Sequence, residues 1–423
     1  MEPGRGSTER DPLRDDSAAI SREADAYSIA SRRLFFSFLI FGLLNNGMLE
    51  PGPQLTSVLY VIILSAALDL VPSTVPKGLV AFFNIFPALL IVAFSSGVNP
   101  RLFGISLASF SSGLGELTFL QLTTTLPTKS ASKTALGAWS SGTGAAGIAG
   151  AGIWWILRGL GVKGGLGISS VLPLFFPVTY LYLLPAWESF QSVEYSRLGA
   201  DDAEATEVMF DEDEPDIRDT STKPLNDVYL TPAEKWALFR PLVLRYMAPL
   251  FFVYVEEYLI NSEAARLLPV LEPDLWVSQR CPADLQDQTF VFLSRSSLSM
   301  GLPPIPKRYL PLPTIIQFFV LVFLTLQARS FIFSTPEYTP PHPEPSSGVD
   351  RAITAVFLLT CLEGLCGGSA YVTTFYHVGH EGDDAEDPES GPEEQKRKME
   401  KEFRIGATGA ADSTGELDEG KNN

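Results

Sequence analysis

The chain has 423 residues, of which 49 are acidic and 31 basic, with a formal net charge of −18 and 46% hydrophobic residues. An acidic balance excludes the basic face on which nucleic-acid binding depends, and three cysteines are too few for a disulfide scaffold or a cysteine-built zinc site. The charge is also segregated. Residues 1–33 hold 7 acids and 6 bases, 188–240 hold 14 and 5, and 381–423 hold 14 and 6, which together account for the whole net charge. The remainder is neutral and strongly apolar, the composition of a membrane protein with acidic polar segments.

In chain order, residues 1–33 read as a polar tail, and Arg32 and Arg33 against the first apolar run favour a cytoplasmic N-terminus. Leu34–Asn46 and Val58–Val71 are each too short to span, and GMLEPGPQLTS (Gly47–Ser57) separates them. Either this is a broken helix lining a cavity, or Gly47–Ser57 is an insertion. Gly78–Val98 and Leu102–Leu126 are cleaner spans, and Ala135–Leu157 carries small residues at spacings of three to four that suit close helix packing. Leu166–Trp187 is apolar but interrupted by three prolines.

An acidic segment, 188–240, divides an N-terminal helix bundle (34–187) from a C-terminal one (241–378). The second group contains Pro241–Asn261, Pro311–Gln327 extending to Phe333, and Ala352–Tyr376, and an acidic polar tail (379–423) follows. The expected fold is therefore an all-α polytopic membrane protein of about eight spans in two groups, the arrangement of a secondary carrier.

Within these spans a few ionisable groups stand out. Glu116 is the one ionisable residue in the 25-residue run Leu102–Leu126, and Ser111, Ser112, Gly113 and Gly115 surround it. Glu363 repeats the pattern in CLEGLCGGSAYVTTF, among Gly364, Gly367 and Gly368. A carboxylate in a membrane helix is costly unless it faces protein or water, so both are candidates for proton coupling or for neutralising a cationic solute. The competing reading is an interhelical hydrogen bond with a structural role only. Glu256 and Glu257 lie toward one end of their span, where an interface role competes with a cavity role. No nucleophile elbow, phosphate loop or zinc-protease motif occurs, so the chain is not read as an enzyme, and no cofactor or metal is expected.

Several blocks resemble the battenin family, the eukaryotic lysosomal and vacuolar membrane proteins of Batten disease. They are LLNN and VLYVIILSAALDL, then VPKGLV, SSGLGELTFL, WSSGTGAAG, YVEEYLIN, FLSRSS, EGLCGGSAYVTTF and EFRIGATGAADSTG, in that order along nearly the whole chain. The resemblance implies a fold similar to the major facilitator superfamily with about eleven helices. It also implies multi-pass residence in the vacuole membrane, the fungal counterpart of the lysosome. The implied function is secondary transport or its regulation: vacuolar pH homeostasis, basic amino-acid (arginine) transport, or glycerophosphodiester export. The expected partners are the lipid bilayer, a small solute and protons, with no nucleic acid.

Arg295 sits in the family's SRSS motif, where it holds an anionic phosphodiester, pairs with a glutamate or anchors at the membrane surface. The chain departs from the family at Gly47–Ser57, between FNIFPALL and IVAFSS, at Ser262–Gln288, and after ADSTG, where it ends GELDEGKNN. A function from another class stays open: a non-transporting scaffold or trafficking adaptor that works through the acidic loops.

Overall fold

The computed structural model describes residues 12–46, 97–187, 230–271, 281–334, 351–381 and 392–415, with 90, 91, 94, 189 and 190 between them. The expected segments at Gly47–Ser57 and Val58–Val71, nearly all of Gly78–Val98, and most of the acidic linker lie outside the described residues. Among the described residues every regular element is helical. The longer helices are α1 (Pro12–Asn46), α2 (Val98–Thr124) and α3 (Lys129–Leu157), then α4 (Gly161–Ser169) and the short α5 (Phe175–Val178). The second half contains α6 (Pro232–Leu242), α7 (Ala248–Leu271), α8 (Cys281–Arg295), α9 (Leu312–Ser330), α10 (Arg351–Gly379) and α11 (Pro392–Gly415).

Among the described residues, four stretches are long and apolar enough to cross a membrane: Asp25–Asn46, Pro232–Glu257, Lys307–Ser330 and Ala352–Gly379. The described residues are thus all-α, with the several spans of a polytopic membrane protein. α2 and α3, at 27 and 29 residues, have spanning length as well. Leu166–Trp187, by contrast, is broken into short helical pieces ending in a π-turn at Thr179–Leu183. Its prolines remove backbone donors and clash with the preceding turn, so one continuous helix cannot form.

Two polar segments are more ordered than their composition suggests. α1 begins at Pro12, well inside the expected N-terminal tail. α11 occupies the middle of the expected C-terminal tail and buries Ile405 and Thr408. Its basic residues meet acceptors on other elements: Lys396 Nζ lies 2.5 Å from Glu234 Oε1, and Arg404 donates to the Glu381 carbonyl at 2.7 Å. The entry to the second half is well defined, because Thr231 and Glu234 form a capping box with Pro232 at the first helical position.

α9 shows what solvent its outer face is built for. Gln317 and Gln327 are fully buried, while Phe318 and Phe319 on the same helix are about half exposed, at 51% and 53%. Gln317 donates to the Val253 carbonyl on α7 at 2.7 Å, and Thr314 donates to the Pro249 carbonyl at 3.0 Å. Amide and hydroxyl donors bonded inside and phenylalanines outside is the pattern of a helix against lipid.

Side-chain contacts also fix which helix ends lie together. Phe41 stacks on Phe119 at 4.4 Å while Asn45 bonds the Ser112 carbonyl at 2.9 Å, so α1 and α2 are antiparallel. Arg33 donates to the carbonyls of Tyr182 and Leu183 at 2.8 and 3.2 Å. Arg245 pairs with Glu381 at 3.5 Å, and the His377 ring is 2.7 Å from the Ile305 carbonyl. The end of α6, the α8–α9 connection and the end of α10 therefore share one face, and the starts of α6 and α11 meet through Glu234 and Lys396.

The interior is closed by backbone contact. A Cβ placed on Gly42 would lie 2.5 Å from the Trp139 carbonyl and 2.8 Å from the Thr143 nitrogen, and one on Gly142 would run into the Leu39 carbonyl. Small residues let α1 and α3 approach this closely. Gly142→Ala is expected to lower stability by roughly 1–3 kcal/mol, because overpacking displaces backbone on both helices. Gly152→Ala, on the same helix with open space around it, is expected to be neutral. Thermal melting of the two variants in detergent measures the difference.

Candidate functional site

The site grows from the only way a guanidinium can be buried in an apolar bundle, which is to hold several partners at once. Arg295 is the last residue of α8 and is 8% exposed. Nη1 donates to Thr143 Oγ1 on α3 at 3.1 Å, and Nη2 donates to Tyr254 Oη on α7 at 3.1 Å. The guanidinium carbon lies 4.3 Å from the centre of the Tyr371 ring on α10, within cation–π range. One side chain thus engages α3, α7 and α10 from α8.

Tyr371 extends the cluster toward the first candidate carboxylate. Its hydroxyl donates to Glu116 Oε1 on α2 in a short hydrogen bond, and accepts from Trp139 Nε1 on α3 at 3.0 Å. Tyr371 and Trp139 are both fully buried. Phe119 lies 5.4 Å from Trp139, ring centre to ring centre, so the aromatic core of α1–α3 backs directly onto this group. On the other side, Phe375 packs 4.8 Å from Tyr371.

The five sequence candidates are thus distributed unequally. Glu116 and Arg295 meet through Tyr371. Glu363 is buried on α10, at 1% exposure, but eight residues before Tyr371; that is about 12 Å along a helix. Glu256 is buried on α7, two residues from the Tyr254 that holds Arg295. Glu257 faces α10: a Cβ on Gly367 would lie 2.9 Å from its Oε2. The two α7 carboxylates therefore lie within the helix assembly.

Sequence reasoning missed Tyr371, Trp139, Thr143 and Tyr254. All four are neutral, and a search for costly ionisable groups passes over them. The available signal was positional: Tyr371 and Trp139 lie inside GGSAYVTTF and AWSSGTG, the glycine-rich blocks that bring helices together.

The geometry can stabilise an anion or carboxylate beside Arg295, and it carries a hydrogen-bonded connection from α2 to α10. Lysine cannot reproduce it, because an ammonium lacks the planar fork that reaches Thr143 and Tyr254 together while stacking on Tyr371. Arg295→Lys is expected to cost about 1–3 kcal/mol, the loss of buried hydrogen bonds to a charged group, read as a lowered midpoint of thermal unfolding in detergent.

Comparison with known proteins accords with the blocks quoted above. The family model described as CLN3 protein matches residues 36–91 and 88–417. The two pieces meet at the junction of FNIFPALL and IVAFSS, where the chain departs from the family. "Protein BTN1" of Cryptococcus neoformans var. neoformans serotype D (strain JEC21) is 52% identical over 92% of this chain and 91% of its own length. That alignment spans 481 residues against a chain of 423, so the relative carries internal stretches that this chain lacks. "Protein BTN1" of Mycosarcoma maydis is 35% identical over 92% of this chain and 84% of its own length. "Protein btn1" of Schizosaccharomyces pombe is 30% identical over 89% of each. With nearly the whole chain matched by the family model, and fungal relatives aligned across nine-tenths of it, this polytopic membrane protein belongs to the battenin (CLN3) family.

Proposed function

We propose that the chain is a secondary transporter of the vacuole membrane, with its helices arranged as two bundles in the manner of the major facilitator superfamily. About eight spans are recognisable in this sequence, and the solute site lies between the bundles around Arg295 and Glu116. The single observation that supports this reading is the buried polar cluster itself. Glu116, Trp139 and Thr143 come from one side of the acidic linker, Tyr254, Arg295 and Tyr371 come from the other, and they meet inside an apolar bundle. A charged, hydrogen-bonded centre at the seam of two helix groups is where carriers bind substrate and coupling ion.

The reading extends to the solute and to orientation. The solute is a small molecule that an arginine–carboxylate pair can accommodate, a basic amino acid such as arginine or a glycerophosphodiester, and its movement is linked to protons and to vacuolar pH homeostasis. Glu363, Glu256 and Glu257 are further proton-coupling or solute-contacting candidates on the walls of the same seam. The face bearing Lys307 and Arg308 is the cytoplasmic one, since basic residues favour that side. On this orientation the acidic 188–240 segment is cytoplasmic too.

Uptake by isolated vacuoles, measured with arginine and with glycerophosphodiesters in the presence and absence of a pH gradient, tests the proposal. Wild-type protein is expected to give uptake that depends on the gradient. Glu116→Gln and Glu363→Gln are expected to lose most of that dependence while the protein remains folded in the membrane. Unchanged uptake in both variants, together with loss of function on deleting residues 188–235, would favour the scaffold or adaptor reading instead.

A further inference from the structure

We propose that Tyr371 is the positioning residue through which the protonation state of Glu116 sets the placement of Arg295; this rests on the carrier reading above. Three observations converge on the one side chain. Its hydroxyl donates to Glu116 on α2, the same oxygen accepts from Trp139 Nε1 on α3, and its ring face carries Arg295 of α8 at 4.3 Å. Tyr371 itself belongs to α10 and is fully buried, as is Trp139, while Glu116 is half-buried.

The direction of the hydrogen bonds gives the coupling its chemistry. An indole N–H can only donate, so Trp139 occupies a lone pair of the Tyr371 oxygen and leaves the phenolic hydrogen for Glu116. When Glu116 is ionised, this bond is charge-assisted and of the stronger kind. When Glu116 takes up a proton, the same contact becomes a neutral hydrogen bond, roughly half as strong, and the hydroxyl end of Tyr371 is held less firmly. The ring is rigid, so loosening at the hydroxyl is transmitted to the face on which the guanidinium rests.

Charged groups surround this connection on several elements. Glu116 approaches from α2 and Arg295 from α8, while α7 contributes Tyr254 on Arg295, with Glu256 and Glu257 following it. α10 itself adds Glu363 eight residues before Tyr371 and His377 six residues after it, the latter against the Ile305 carbonyl. Of these, Glu116 receives the hydrogen bond of the Tyr371 hydroxyl. Arg295 is also tied to Thr143 in the first half of the chain and Tyr254 in the second. A small shift of the ring is therefore felt at contacts that join the two halves.

The test uses the full chain in two measurements. In proteoliposomes, uptake of labelled arginine and of glycerophosphocholine is measured with and without a pH gradient for wild type and Tyr371→Phe. The phenylalanine keeps the ring over Arg295 and removes only the hydroxyl. The expected result is a ratio of gradient-driven to gradient-free uptake that exceeds one in wild type and falls to about one in Tyr371→Phe, as one cuts a single contact in a coupled pair. A wild-type ratio retained in Tyr371→Phe overturns the coupling role while leaving the carrier reading intact. Absence of any wild-type uptake removes the carrier reading, and the coupling role with it.

The second measurement needs no transport. The pH dependence of thermal unfolding in detergent is compared for wild type, Tyr371→Phe, Glu116→Gln and the double variant. If the hydroxyl acts through Glu116, Tyr371→Phe flattens the pH dependence and adds no further flattening in the Glu116→Gln background. Independent, additive effects overturn the proposal. This cycle also decides the case of a Tyr371→Phe protein that is inactive under all conditions.

Discussion

The structure depends on keeping one guanidinium buried. Arg295 ends α8 deep in an apolar helical assembly, where an uncompensated charge is strongly disfavoured. It is accommodated by two hydroxyls and an aromatic face, supplied by three other helices. Each contact is short-ranged, and together they require α3, α7, α8 and α10 to hold one mutual geometry. The charge thus specifies an arrangement that apolar packing alone would leave degenerate, since helices in lipid gain nothing from hiding one hydrocarbon surface against another.

The second constraint is that Glu116 connects to the arginine through a third side chain. Glu116 on α2 reaches the centre through the Tyr371 hydroxyl, and Trp139 fixes the lone-pair direction of that hydroxyl. A linkage of this kind suits a protein that must change state. A phenol between a carboxylate and a guanidinium passes on a change at one end while each group keeps a partner within the protein.

Part of this was legible in the sequence and part was not, for physical reasons. Arg295 could be found because its SRSS block resembles the family's, and Glu116 because a charge in an apolar run is improbable unless something compensates it. Helix identity was legible for the same reason, in the long uninterrupted runs of α2, α9 and α10. Tyr371 and Trp139 carry no such signal, because an aromatic residue in a membrane helix has a ready explanation in packing. The helix at Pro392–Gly415 was hidden by its many charges, which read as solvated until Glu234 and the Glu381 carbonyl are seen to receive Lys396 and Arg404. Burial of Gln317 and Gln327 on α9 was likewise invisible, since only the neighbouring carbonyls and hydroxyls reveal what the amides satisfy.

The glycines connect these two levels. A Cβ on Gly144 of α3 would lie 2.9 Å from the Phe292 Cα and 3.1 Å from the Arg295 Cβ, and one on Gly368 of α10 would lie 3.1 Å from the Arg295 Cγ. The stem of the arginine is therefore clasped between two helices at positions where no side chain fits. If either backbone stood farther away, as any larger residue would force, the guanidinium would have to stretch to reach Thr143 or leave the Tyr371 ring. Hydrogen bonds lose their value within a few tenths of an ångström of lengthening. The glycine-rich blocks that look like packing motifs in the sequence are, in the folded chain, what brings the polar centre within bonding distance. Close approach of helices and burial of charge are here one requirement, and neither can be altered without the other.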